Sequence, residues 1–424
     1  MRHRRDLRRV PLALFLLLAA FLLTPTHAAA QAAETRAPVT ILISIDGFHP
    51  DYLRRGNSPR LDALAAGGAS AAMRPSFPTK TFPNHWTIVT GQRPDRHGIV
   101  GNRMEDEARP GELFTMRSLD PFWWNATPPI WVEAERAGIR TATMFWPGSD
   151  VAWGRQPAAG QPDGMTGGTY PRHWQHFDQN VTDAQRVAAV LGWLRNPAAA
   201  RPQFVTLYFD TVDTAGHHFG PRDPRTTAGV AQVDHAIGML VDGLRALGQP
   251  ANLVIVADHG MAETSPDRII PLDRVSAPAN YRIIEHGPYA ALVPRPGREA
   301  ALAAALLRPH PHMQCWRSSE IPARFHYGAN PRVPPFICLA ETGWLIEPRV
   351  PETMTDRGAH GFDHEAPEMA ALFIAHGPAF RTGVVLPPFD NVDVYPLLAR
   401  LIGVTPHPHD GSLATLAAAL RASE

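Results

Sequence analysis

Acid–histidine pairs are the first residues in this chain whose types and spacing could do chemistry. Asp213 and His217 are four apart, so one helical turn would put both on the same side, although Gly216 between them allows a tight irregular turn instead. Asp258 and His259 are adjacent and would point oppositely in extended chain. They can serve one ion only if the backbone turns at once, which Gly260 permits. Asp46 closes an apolar run, and His360 sits in the glycine-flanked loop Gly358-Ala-His-Gly-Phe362. Three carboxylates and three imidazoles form a donor set suited to Zn²⁺. Two such ions ~4 Å apart can hold the attacking and leaving oxygens of an in-line phosphoryl displacement.

A nucleophile is available in the stretch Pro75 to Gly91. Pro78 marks a loop, Thr81 stands where a helix N-cap would, and Pro83 falls in the first turn, where a missing N–H costs nothing. Trp86, Ile88 and Val89 continue the helix to a stop at Gly91. A hydroxyl at a helix start faces free backbone N–H groups and the positive end of the dipole, a setting ready for an anion. Lys80, the only lysine of the chain, precedes it.

The elements that must position these residues alternate. Buried strands are expected at Val39–Ile45, Thr141–Trp146, Phe204–Phe209, Asn252–Ala257 and Met369–Ile374, each a short apolar run bounded by turn residues. Helices are expected from Ser58 to Gly67, from Thr81 to Gly91, and over 129–138, 181–195, 226–247 and 392–402. The pattern predicts an α/β fold, a mostly parallel central sheet with helices on both faces. Asp46, Asp213 and Asp258 then fall at carboxyl ends of strands, where open α/β sheets gather ligands. Residues 153–180, rich in Gly, Pro and aromatics, read as a surface excursion. Residues 269–349 break into short segments and read as a small inserted irregular subdomain within one catalytic domain over 34–424.

Residues 1–30 read as a secretory signal: basic from Arg2 to Arg9, apolar from Leu12 to Leu23, with small residues for cleavage near Ala28–Ala30. The apolar run is shorter than the ~20 residues a membrane span needs, and no cysteine follows it to carry a lipid. We therefore expect a periplasmic or secreted protein without a membrane anchor, and a monomer. Such a compartment suits a disulfide between Cys315 and Cys338, the only cysteines. With 40 basic and 40 acidic residues in 424, nothing points to a nucleic-acid polymer or an anionic membrane.

The pieces Ile45-Asp-Gly-Phe48, Pro75 to Gly91, His97 to Asn102, Phe145 to Asp150, Asp213-x-x-x-His217, Ala257-Asp-His-Gly-Met261 and Gly358 to Asp363 occur in an order that resembles the nucleotide pyrophosphatase/phosphodiesterase family of the alkaline phosphatase superfamily. The resemblance spans essentially the whole mature chain. It implies one zinc held by Asp213, His217 and His360, and a second held by Asp46, Asp258 and His259 with the Thr81 oxygen. It also implies that Thr81 attacks phosphorus to form a covalent nucleotidyl-threonine. Asn102 and the backbone N–H of Phe82 would bind a phosphate oxygen. Phe82 and Phe177 would sandwich the base, with Tyr208 and Trp146 lining the same pocket and Lys80 contacting substrate. His85 and His97 are expected to play supporting or structural parts.

Other readings are weaker. A choline or lipid-headgroup phosphodiesterase on the same metal core should show acidic and aromatic residues caging a quaternary ammonium. A sulfatase needs a cysteine at the nucleophile and an Arg where His85 stands, and a phosphomonoesterase needs an Arg clamp near Thr81. A non-catalytic binding protein should have lost a ligand position, whereas all seven are present.

Overall fold

The computed structural model describes residues 36–161 and 164–422, so the expected signal, residues 1–30, lies outside the described residues. Six strands carry the central sheet: β1 (Val39–Ile45), β2 (Ala69–Arg74), β3 (Thr141–Met144), β4 (Phe204–Phe209), β5 (Ala251–Val256) and β6 (Ala371–His376). Their order across the sheet is β2–β6–β5–β1–β4–β3, with two-residue strands at the edges. β1 lies centrally, parallel to β4 and β5, with Ile43 opposite Leu207 on one side and Ile255 on the other. Every residue of β1 and β4 is buried, as their unbroken apolar runs require of strands covered on both faces. Full burial of a side chain such as Ile41 or Ile43 contributes about 1.5–3 kcal/mol.

The sheet is mostly parallel, as expected, with two details that the sequence pattern did not specify. β6 runs antiparallel to both β5 and β2, so the sheet is mixed, with one reversed strand among parallel ones. β2 was not expected at all. Its sequence, Ala-Ser-Ala-Ala-Met-Arg, lacks the β-branched and aromatic residues that mark strands, and it is held as a strand by pairing with β6.

Seven helices position the site: α1 (Pro59–Ala66), α2 (Thr81–Thr90), α3 (Ile130–Arg136), α4 (Asp183–Leu194), α5 (Thr211–Phe219), α6 (Pro224–Ala246) and α7 (Val394–Ile402). α6 packs against α1, α4 and α5, while α7 packs against α2 and α3, giving the sheet its two helical layers. Within the expected insertion, the strands Tyr281–Glu285, Tyr289–Pro294, Phe336–Ala340 and Met313–Arg317 form a separate antiparallel sheet, in that order. Leu292, Leu302, Leu306 and Phe336 fill a second core beneath it. Cys315 lies opposite Cys338 across this sheet, and the two are disulfide-bonded.

The start of α2 corrects one expectation. The helix begins at Thr81 itself and its N-cap is Lys80, whose backbone is extended and whose carbonyl accepts from Asn84 N–H at 3.1 Å. The Thr81 side chain is therefore free of capping duty. Asn84 fixes the loop ahead of it. Fully buried, it accepts from Ser76 N–H at 2.8 Å and from the Asn391 amide at 2.8 Å, and it donates to the Pro78 and Lys80 carbonyls at 3.0 and 2.9 Å. Replacement by leucine strands several of these buried groups. Asn84→Leu should lower the unfolding free energy by about 2–4 kcal/mol, read from urea titration; a change within 0.5 kcal/mol would contradict this account of the loop.

Candidate active site

The carboxyl ends of three parallel strands deliver the acids. Asp46 follows β1, and Asp258 and His259 follow β5. Asp213 and His217 follow β4 on α5, so the helical alternative holds over the irregular turn. Gly47, at φ 68°, turns the chain just after Asp46, and a Cβ there would lie 3.0 Å from the Asp213 Cα. Gly260 serves differently from the expected turn. Its φ is not positive; instead a Cβ there would come within 2.2 Å of the Glu368 carbonyl oxygen, so glycine is needed for close packing.

These residues converge. His217 Nε2 lies 3.5 Å and His360 Nε2 3.8 Å from Asp213 Oδ1. His259 Nε2 lies 2.9 Å from Asp258 Oδ2 and 3.5 Å from Asp46 Oδ1. Thr81 Oγ1 is 3.4 Å from the same His259 nitrogen. Asp213, His217 and His360 form one compact donor group; Asp46, Asp213 and His259 form another, so the two adjoin at Asp213. The His259 and His360 rings stack with centroids 3.5 Å apart.

Each of the three imidazoles is oriented by a backbone carbonyl. His217 Nδ1 bonds Gly358 O at 2.9 Å, His259 Nδ1 bonds Gly260 O at 2.9 Å, and His360 Nδ1 bonds Thr79 O at 2.8 Å. A carbonyl only accepts, so each Nδ1 carries a proton and Nε2 is the ring atom turned toward the acids, the orientation a metal ligand needs. His85 also falls within reach of Asp46 and Asp258. It is no ligand, because its Nδ1 donates to Thr81 O at 2.8 Å and its Nε2 faces the Ser44 hydroxyl at 2.8 Å. It holds the Thr81 backbone instead.

The acid oxygens supply a test of fit to a cation. Asp46 Oδ1, Asp213 Oδ1 and Asp258 Oδ2 are buried, and none has a hydrogen-bond partner among the described residues. Burial, with Asp258 and Asp213 alongside, pushes the Asp46 carboxyl well above the usual range. Burial opposes the ionised form of Asp258 too, but His259 and His85 outweigh it and hold that carboxyl well below the usual range. Burial drives the His360 pKa well down, with His259, Lys80 and His217 adding to it, so its imidazole stays neutral. Three crowded carboxylate oxygens beside three oriented Nε2 atoms fit divalent cations.

Around this centre, Asn102 Oδ1 accepts from Phe82 N–H at 3.0 Å. The two groups expected to bind one oxygen together thus bond to each other. Tyr208 O–H donates to Asp46 Oδ2 at 2.7 Å, a supporting role its aromatic type did not signal. Trp146 is buried beside His85 and donates its indole N–H to the His85 carbonyl at 3.1 Å. Phe82 packs against Phe114 and Trp124, whereas Phe177 is half exposed and packs on Tyr208 and Phe145. Lys80 Nζ lies 5.8 Å from the Tyr289 ring centre. His97 is fully buried on Thr87 Oγ1 at 3.0 Å, a structural part of α2's support.

Strand ends that deliver acids and imidazoles to one point of a mixed α/β sheet define an alkaline-phosphatase-like hydrolase core. The chain belongs to the type I phosphodiesterase / nucleotide pyrophosphatase family, whose profile matches residues 40–363. It is 36% identical over 385 residues to a bis(5'-adenosyl)-triphosphatase of Xenopus laevis, covering 90% of this chain and 81% of that protein. It is 33% identical over 377 residues to ectonucleotide pyrophosphatase/phosphodiesterase family member 5 of Homo sapiens, covering 88% and 76%. Among solved structures, murine ectonucleotide pyrophosphatase/phosphodiesterase 5, in an inactive threonine-to-alanine form in complex with AMP, superposes with a TM-score of 0.84 at 32% identity, over 91% of this chain and 100% of that one.

A cation that binds only the folded site stabilises it by mass action. Zinc added to chelator-stripped protein at a thousandfold excess over its dissociation constant should contribute about 4 kcal/mol per site, read as a rise in Tm. An unchanged Tm would exclude a metal centre here.

Proposed function

We propose that this chain is an exported two-zinc nucleotide pyrophosphatase/phosphodiesterase that releases nucleoside 5'-monophosphate through a covalent intermediate on Thr81. One observation carries the reading: a buried threonine hydroxyl at the first residue of a helix, 3.4 Å from His259 and free of capping duty, beside carboxylate oxygens without a hydrogen-bond partner among the described residues. Bound to Asp213, His217 and His360 and to Asp46, Asp258 and His259, two zinc ions would supply positive charge for the attacking and departing oxygens. Thr81 Oγ attacks phosphorus in line, the bond to the leaving oxygen breaks, and the nucleotidyl group is left on threonine. His85 holds the Thr81 carbonyl and Tyr208 holds Asp46, so the hydroxyl and its surrounding acids keep their positions throughout. Water then attacks the same phosphorus and frees Thr81. Two in-line displacements leave the configuration at phosphorus retained.

The Asn102 amide and the amino end of α2 would hold a phosphoryl oxygen, with Phe82 and Phe177 on the base. The names of the relatives, which specify adenosine polyphosphates and nucleotides, and the AMP held by the murine neighbour support nucleotides over lipid headgroups. No helix among the described residues is long and apolar enough to cross a membrane. The basic and apolar stretch of residues 1–30 supports export.

Thr81→Ala leaves all six acid and imidazole donors in place. It should abolish release of nitrophenol from a nitrophenyl nucleoside monophosphate while AMP still binds; a rate within tenfold of wild type would remove Thr81 from the nucleophile's role. Lys80 has no carboxylate within ion-pair reach among the described residues, and its ammonium is placed here against phosphates beyond the one attacked. Lys80→Met should raise KM for a nucleoside triphosphate about tenfold, a loss of ~1.4 kcal/mol, and barely change KM for the nitrophenyl ester, whose leaving group lacks phosphate. Equal shifts for both substrates would contradict that placement.

A further inference from the structure

The outer donor group draws Asp213 and His217 from a single helix, α5, and so depends on a separate loop for its third member, His360. That loop is tied to Thr79, two residues ahead of Thr81. Thr79 is fully buried. Its hydroxyl donates to the Phe362 carbonyl at 2.9 Å and accepts from Gly361 N–H at 3.0 Å. Its own carbonyl accepts from His360 Nδ1 at 2.8 Å. One residue thus holds the backbone after His360 from both sides and the imidazole itself. The Lys80 stem closes over the same loop, since a Cβ at Gly361 would lie 2.8 Å from Lys80 Cε. The inner group is fixed by other means: Asp46 by Tyr208, Asp258 by Gly47 N–H at 3.2 Å, and His259 by the Gly260 carbonyl.

We propose that Thr79 is a positioning residue whose hydroxyl sets the cation affinity of the outer group, Asp213–His217–His360, and ties that group to the segment carrying the nucleophile. The inference rests on the metal reading given under Proposed function. Without the hydroxyl, Gly361 N–H and Phe362 C=O lose their partner in a buried place, and the loop shifts to recover one. His360 then no longer faces Asp213 at the depth the helix pair needs. Groups that orient a metal's ligands typically change affinity 10–100-fold when removed.

The test compares zinc binding by wild type, Thr79→Val, which keeps the shape, and Thr79→Ser, which keeps the hydroxyl. Each is dialysed against buffered free zinc and its metal content measured. Wild type and Thr79→Ser should hold two zinc ions per chain. Thr79→Val should hold one at zinc levels that saturate wild type, regaining the second, together with nucleotide hydrolysis, only at ten or more times higher zinc. The inference is overturned if Thr79→Val holds both ions at wild-type affinity, if it loses both alike, or if Thr79→Ser behaves as the valine variant. Should Thr79→Val fail to fold, Thr79→Ala, which adds no bulk, is read the same way; failure of both to fold makes the residue a support of the fold and overturns the specific role. A wild-type chain that holds no zinc overturns the functional reading as well, whereas two ions in both wild type and Thr79→Val overturn this inference alone.

Discussion

Three carboxylates crowded together, two of them fully buried and the third partly so, are the constraint on which the rest of this structure depends. An isolated buried anion costs several kcal/mol even after relaxation, and a cluster of like charge costs more. Asp46 illustrates the strain, held toward its neutral form by burial and by the neighbouring Asp258 and Asp213. The fold accepts this arrangement because each acid is locked by the backbone that delivers it, at the ends of β1, β4 and β5. Tyr208 on one acid and the Gly47 amide on another leave other oxygens of the cluster without a hydrogen-bond partner among the described residues. Positive charge supplied from outside is the physical resolution of such a cluster.

The imidazoles show the complementary half of the design. Each donates Nδ1–H to a backbone carbonyl, His259 to that of the next residue, so the ring is oriented without any side chain being spent on it. Orientation by backbone is stiff. It also means that the identity of the orienting residue leaves little trace in sequence, because any residue has a carbonyl.

That asymmetry explains what could be read from sequence. β1, β4 and β5 were legible because strands buried on both faces are written as continuous apolar runs, and the acids that end them follow directly. Ala69–Arg74 was not, since alanine and serine favour no pleated surface and only the partner strand makes them one. The spacing of Asp213 and His217 left helix and turn equally open until α5 decided it. Thr81 was identified, yet its place was off by one residue, because the Lys80 carbonyl takes the first helical bond and no side chain announces that. The parts of Tyr208 and Thr79 were hidden for the same reason: their partners lie more than 150 and 280 positions away along the chain.

The reversed strand carries a consequence for how the chain acquires its shape. β6 fills the gap between β2 and β5, pairing Ala371 with Met73 and Ile374 with Ile255. The sheet therefore stays open until nearly the whole polypeptide is present. Contacts between such distant positions carry a large loop-closure entropy before any reward, and topologies dominated by them fold slowly. A nascent chain emerging from its amino end would expose the edges of β2 and β5 until Ala371–His376 is made, and His360 reaches Asp213 only once that late stretch is present. Premature termination anywhere before residue 360 leaves Asp213 and His217 without the third donor of their group.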